Sequence, residues 1–104
     1  TVANLATAAK PVGAGQTWQN PSRALNTTYT NDTGRPIMVN ITGAFTVNQY
    51  IDILIDGSVI VAKAQWDSLA SGRQWGTLSV IVPAGSTYQA SSTGVNTLAW
   101  AELR

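Results

Sequence analysis

The chain has 104 residues, of which 44% are hydrophobic and only 11% are charged, and its formal net charge is +1. A typical soluble domain has about 25% charged residues, so uncharged polar residues must form much of this surface. The six basic residues are scattered along the sequence, which argues against binding to nucleic acid or to an anionic membrane. The length predicts one domain, and no apolar run approaches the roughly 20 residues of a membrane-spanning helix.

Histidine and cysteine are both absent from the sequence. Their absence excludes Ser-His-Asp triads, Cys-His dyads, disulfides, and zinc sites built on imidazole or thiolate. The sequence also has no glycine motif for binding a phosphate or a dinucleotide. We therefore predict a protein that is not an enzyme and has neither a metal site nor a cofactor.

The first 15 residues are mostly small and end in a stretch that contains Pro11 and Gly15. This composition is typical of a linker, so we expect residues 1–15 to be an arm from a preceding region and residues 16–104 to be the folded domain. The sequence starts with Thr1 and shows no signal peptide, so we expect it to be part of a longer chain.

From Trp18 onward the sequence alternates between apolar and polar residues and is interrupted by turn signals. β-Branched residues occupy alternate positions at Ile37, Val39 and Ile41 within 35–45, and at Ile51, Ile53 and Ile55 within 50–55. This pattern is typical of strands with one face on a core. Asp56-Gly57, followed by a return strand at 58–64, predicts a tight hairpin. Further strands are expected at 27–30, 77–82, 87–90 and 97–103.

These elements predict an all-β fold of about seven or eight strands, with no helix signal after residue 16. The expected architecture is an antiparallel β-sandwich or a jelly roll. The strands at 51–55 and 59–61 are apolar on two faces, so they could supply both a core face and a face for a second subunit.

Two patterns of acidic residues are candidates for catalysis. Asp32-Thr33-Gly34 is the triplet of retroviral-type aspartic proteases, in which two Asp carboxylates share a proton across a dimer axis. Here polar residues precede the triplet and Arg35-Pro36 follows it, which favours a polar hairpin turn. Asp52 and Asp56 are four positions apart along a strand, which is too far for a glycosidase pair, and they lack the further carboxylates of a calcium site.

Aromatic residues are the remaining functional signal. Trp66 and Trp75 stand at the ends of a polar loop that we expect at 65–75, and an exposed indole offers an apolar face to a sugar ring. Either these side chains close the end of the sandwich, or they face a ligand together with the loop. The candidate ligand-binding residues are Gln65, Trp66, Asp67, Arg73, Gln74 and Trp75. Trp100 alternates with Leu98, which favours a position in the core.

Several motifs occur in a characteristic order. The stretch from Trp18-Gln19-Asn20 to Val39 is similar to W-x-x-V-x-x-x-R-x-x-x-T-x-Y-x-N-x-T-G-x-P-I-x-V, which it matches from Arg23 onward. Ile55-Asp56-Gly57, the stretch 82–88 and the ending Trp100-Ala101-Glu102-Leu103-Arg104 follow. Over about residues 16–104 this order resembles a C-terminal domain of tail fibres of tailed bacteriophages and of prophage tail proteins. Contact residues vary among phages in that family, so none is carried over. The loop at 65–75 is longer and more aromatic than in that family, which argues against a shared ligand.

The resemblance implies a receptor-binding or tip domain of a homotrimeric tail fibre. Such a domain would lie at the distal end of the fibre in the virion and act outside the cell on a bacterial surface glycan or outer-membrane protein. Two alternatives stay open. One is a purely structural trimerisation or capping module of the fibre, and the other is a carbohydrate-binding module attached to an enzyme.

Overall fold

A computed structural model describes residues 11–46, 48–66, 74–92 and 95–104, and for residues 66, 74 and 96–98 the backbone alone. In these ranges eight strands form two antiparallel sheets, and no residue is helical. The strands are β1 (Trp18–Gln19), β2 (Tyr29–Thr30), β3 (Ile37–Phe45), β4 (Gln49–Ile55), β5 (Val59–Trp66), β6 (Gln74–Val82), β7 (Thr87–Ser92) and β8 (Asn96–Leu103). The predicted all-β fold is confirmed, and its architecture is consistent with a β-sandwich.

Sheet I has the strand order β1-β8-β3-β6, and sheet II has the order β2-β7-β4-β5. Alternate residues of the long strands face the space between the sheets, as the period of two predicts. The buried core consists of Ile37, Val39, Ile41, Phe45, Ile51, Ile53, Ile55, Leu78, Val80, Val82, Tyr88, Ala90, Val95 and Trp100. Because burial of each large aliphatic side chain contributes roughly 1.5–3 kcal/mol, this core is the main source of stability.

The turn at residues 56–58 joins β4 to β5 as a hairpin, as predicted. Asp56 and Gly57 have φ angles of 53° and 84°, a left-handed conformation that Asp and Gly accept more readily than most residues. The Asp56 carboxylate accepts hydrogen bonds from Thr87 N and Ser86 Oγ, both at 3.2 Å. These bonds tie the hairpin to the start of β7.

The turn around Asp32-Thr33-Gly34 differs from the prediction. It connects β2 of sheet II to β3 of sheet I, so it is a crossover between the sheets and the hairpin interpretation is wrong. The predicted turn itself is confirmed: Gly34 has a φ of 82°, a left-handed conformation that glycine adopts readily. Local sequence could not show which sheet each flanking strand joins, because sheet membership depends on distant partners.

Both ends of the loop predicted at 65–75 lie in strands, and residues 67–73 lie outside the described residues. Gln65 pairs with Tyr50 on β4, and Trp75 pairs with Ala44 on β3. Both residues therefore belong to strands, and their outward positions explain why the apolar pattern fades there.

The end of the predicted arm is in contact with the domain. Arg35 Nη2 donates to the Pro11 carbonyl at 3.0 Å, and Gln16 Nε2 donates to the Pro36 carbonyl at 2.9 Å. Residues 11–16 are thus held beside the start of β3. Residues 1–10 lie outside the described residues.

Candidate functional site

Four of the predicted ligand-binding residues, Gln65, Trp66, Gln74 and Trp75, lie near the end of the sandwich where β5 ends and β6 begins. Gln65 is exposed on the outer face of sheet II, and Trp75, which is 66% exposed, lies on the outer face of sheet I. Trp66 ends β5 and Gln74 begins β6. The structure brings Gln65 and Trp75 to the same end of the sandwich but places their side chains on opposite faces.

Asp67 and Arg73, the other two candidates, lie outside the described residues. The ligand-binding role of the whole set stays a prediction. In the part of the chain that the structure describes, there is no cavity of ligand size and no group of three or more His, Cys, Asp or Glu side chains suited to a metal ion. Within the same ranges, no helix has the length and apolar character needed to cross a bilayer.

The acidic residues weighed as catalytic candidates make structural contacts. Asp32 is 83% exposed and pairs with Arg104 at 3.5 Å. Asp52 pairs with Lys63 at 3.7 Å on the outer face of sheet II, while Asp56 holds the hairpin turn.

One carboxylate lies inside the sandwich. Glu102 of β8 is 0% exposed, and its Oε2 accepts hydrogen bonds from Tyr88 Oη at 2.9 Å, Trp100 Nε1 at 3.1 Å and Arg23 Nε at 3.1 Å. Its Oε1 lies 3.3 Å from Arg104 Nη1. The donors come from both sheets and from the β1–β2 connection, so this carboxylate joins three parts of the fold.

Aromatic rings pack around the Glu102 carboxylate, and we call Glu102, Arg23, Tyr29, Tyr88 and Trp100 the Glu102 cluster. The Tyr29 ring lies 5.9 Å from the Tyr88 ring and meets the Trp100 ring edge-on at 6.1 Å. The Arg23 guanidinium lies over the Tyr29 ring, with its central carbon 4.6 Å from the ring centroid. Trp100 is buried, as predicted. Because the carboxylate is fully hydrogen-bonded, we interpret this cluster as a structural one that closes one side of the sandwich and holds the two sheets together there.

Sequence analysis missed the role of Glu102. The available signal was its place in β8, two residues after the predicted core residue Trp100, because residues two apart share a face of a strand. A lone acid on an apolar face must find partners or remain unburied. The partner Arg23, 79 positions away, could not be identified from spacing.

The Glu102 cluster changes the acid–base behaviour of two neighbours. Burial and the hydrogen bond to the Glu102 carboxylate raise the pKa of Tyr88 to about 12. Burial alone would lower the pKa of Arg23, but its interactions with Glu102 and Tyr88 raise it above the ordinary value. Both shifts keep the protonated forms in place around the carboxylate.

We expect the stability that Tyr88 contributes through this shift to be lost at high pH. An unfolded tyrosine ionises near pH 10, whereas the folded residue keeps its proton until about pH 12. The contribution is therefore complete below about pH 10 and declines as the pH rises towards the folded pKa. Absorbance titration of phenolate should show a late component that is missing from Tyr88→Phe, and identical titrations of the two proteins would contradict the assignment.

A second buried polar residue, Asn31, fastens the crossover turn. Its Nδ2 lies 2.8–3.1 Å from three main-chain carbonyl oxygens, those of Arg35, Val82 and Pro83. Its Oδ1 accepts hydrogen bonds from Thr33 Oγ1 at 2.7 Å and Thr33 N at 3.2 Å. The Asn31 side-chain amide thus forms hydrogen bonds both within the crossover turn and to the turn that follows β6.

No family model matches this chain, and searches of curated proteins and of solved structures gave no significant match. Two exposed surfaces are the candidate sites of interaction. One is the outer face of sheet I, where Trp18, Trp75 and Ile81 are exposed. The other is the start of β5, where Val59 and its two successors are exposed. A contiguous patch of large apolar side chains in solvent, such as Val59–Val61, is typical of surfaces that contact another molecule.

Proposed function

We propose that this chain is a non-catalytic attachment domain of a bacteriophage tail fibre. It assembles as a homotrimer at the distal end of the fibre and contacts a glycan or an outer-membrane protein on the bacterial surface. The ordered motifs of residues 16–104 and the all-β fold support this proposal. The structural observation that carries it is the apolar start of the edge strand β5.

β5 is an edge strand of sheet II, with β4 as its neighbour. Val59, Ile60 and Val61 are consecutive and all exposed, so both faces of the strand are apolar and in contact with solvent at this point. Monomeric proteins usually prevent an exposed edge strand from pairing with another chain by placing charges, prolines or bulges on it. Here the protection consists of Lys63 and a register irregularity opposite Ile53 and Leu54.

Contact between copies would cover this apolar edge. Ile60 pairs with the half-buried Leu54, which extends the apolar surface onto the outer face of sheet II. Association would add burial to a small domain that has no cysteine for a disulfide. Because assembly stabilises the folded subunit by mass action, it suits a protein that must persist outside the cell.

We expect the 1–104 chain to sediment as a trimer and Ile60→Lys to sediment as a monomer. Lysine would place three charges in the contact between copies, where they have no partners. The matched control is Ile81→Lys, because Ile81 is 54% exposed and Ile60 is 55% exposed, but Ile81 lies on sheet I. This control should remain a trimer. Sedimentation of the unchanged chain as a monomer at high concentration would contradict the homotrimer.

The attachment role is tested with fluorescently labelled chain on a panel of bacterial strains. Retention on the surface of some strains is expected, and retention on none would contradict a receptor-binding role. A trimer without any cell binding would favour the structural capping module, which the same apolar β5 edge would also suit. A monomer that binds sugars would favour a carbohydrate-binding module attached to an enzyme.

A further inference from the structure

The outer face of sheet I differs from that of sheet II in charge. The centre of the sheet I face consists of Asn40 and Thr42 on β3 and of Thr77 and Ser79 on β6. The neighbouring outward positions of β8 are alanines. Described positions on this face carry no charged side chain, whereas the corresponding face of sheet II holds the ion pair between Asp52 and Lys63.

The central side chains of this face form a grid of hydroxyl and amide groups. The Thr42 and Thr77 hydroxyls are hydrogen-bonded to each other at 2.9 Å, and Ser79 Oγ donates to Asn40 Oδ1. Asn40 Nδ2 donates to no other described residue, and each hydroxyl oxygen keeps acceptor capacity. The grid therefore offers neutral donors and acceptors to a ligand but no charge to pair with an ion.

Exposed tryptophans stand at two corners of the face. Trp75 lies beside Thr77 on β6, and Trp18 lies on β1 in the row that ends at Ile81. Six residues along β6 and three inter-strand spacings separate them, which amounts to roughly 25 Å. An indole presents a flat apolar surface on which the C–H face of a sugar ring packs. A ligand that reaches both indoles must be an extended chain of several rings.

The size of the face argues against a second copy of the chain as its occupant. The rows and strands between Trp75 and Trp18 span roughly 300 Å² in projection. A stable interface between proteins buries about 800 Å² on each partner. A subunit contact would have to extend well beyond this face, as a contact at the apolar start of β5 also would, whereas the open, flat face is large enough by itself for a polymer that lies along the sheet.

We infer that the outer face of sheet I binds a neutral polysaccharide, with Trp75 and Trp18 stacking on sugar rings and the Asn40–Thr77 grid bonding their hydroxyls. This inference rests on the proposed attachment function and deepens it by naming the receptor class and the face that contacts it. It assigns Trp75 to a sheet face that Gln65 does not share. An acidic glycan would find no cation on this face to neutralise it.

The test uses the full chain on an array of neutral and acidic oligosaccharides, followed by calorimetric titration with the neutral ones retained. Trp75→Ala should weaken binding about tenfold, as expected for loss of an aromatic contact that dominates a site. Ser79→Lys should weaken it at least as much, because it puts a long charged side chain into the grid. Thr30→Lys is the matched control for the added charge, because Thr30 is an exposed hydroxyl residue on β2, at the edge of sheet II opposite β5, and it should bind normally.

Retention of neutral oligosaccharides with this pattern of variants supports the inference. Retention of acidic glycans alone, no retention, or a loss in Thr30→Lys with normal binding in Ser79→Lys would each overturn it. Dissociation of the assembly in Ser79→Lys would also overturn it, because the face would then be a subunit contact. A blank array with continued labelling of cells removes only this inference, whereas a monomeric chain that labels no cells removes the proposed function.

Discussion

Replacing Glu102 with Gln is expected to lower the free energy of unfolding by about 3 kcal/mol, since loss of one partner from a buried ion pair costs about that much or more. The amide oxygen can still accept from Tyr88, Trp100 and Arg23 Nε. Its NH₂ group, however, would face the guanidinium N–H groups of Arg23 and Arg104, which now approach the second carboxylate oxygen at 3.4 and 3.3 Å. Both arginines, with side chains only 18% exposed, would also lose their counter-charge.

Asp32→Asn is the matched control for Glu102→Gln. Asp32 pairs with the same Arg104, but in solvent, where an ion pair is typically worth about 0–1 kcal/mol. Urea unfolding of both variants at neutral pH and equal protein concentration gives the comparison, since assembly would make stability depend on concentration. Equal losses in the two variants would show that burial of Glu102 does not set the strength of its interactions.

The strands were the part of the fold that could be predicted from sequence. From Ile37 to Ile41 in β3 and from Ile51 to Ile55 in β4, isoleucine and valine recur at every second position and are buried, whereas the residues between them are only partly buried. Such a pattern is local and directly reflects which face of a strand is buried. The order of strands in the sheets is not local, because β8 lies between β1 and β3 and no spacing in the sequence encodes that neighbour.

The candidate site was less predictable for the same reason. Alternation of Thr77 and Ser79 with Leu78 and Val80 identifies a polar outer face on β6. The other half of the grid is contributed by β3, with partners 35 to 39 positions away. Trp75 was expected in a loop because polar residues flank it, but pairing with β3 extends β6 far enough to place it on the sheet.

A second large effect is expected for Asn31→Asp, with a loss of about 3 kcal/mol in the free energy of unfolding. Asn31 is 0% exposed, and its Nδ2 is the donor to three carbonyl oxygens. In a carboxylate, an oxygen acceptor would replace this donor; that second oxygen would be repelled by the three carbonyl oxygens and desolvated without a donor, although Thr33 could still donate to the first. The main-chain bonds of Asn31 to Ser86 and Gly85, both 2.9 Å long, hold the backbone in place, so the main chain cannot move to carry the new carboxylate into solvent.

Asn48→Asp is the control for the same chemical change, because Asn48 is exposed and its φ of 63° is one that Asp also tolerates. Its unfolding free energy should change by less than about 0.5 kcal/mol. The loss in Asn31→Asp should also shrink as the pH falls towards about 4, the ordinary pKa of Asp. Burial among carbonyl oxygens raises the folded pKa of such an Asp, so the variant gains stability on protonation and loses it as the pH rises. An equal loss of unfolding free energy at neutral pH and at about pH 4 would assign the cost to packing at this position. A protonated Asp restores one donor while leaving the packing unchanged.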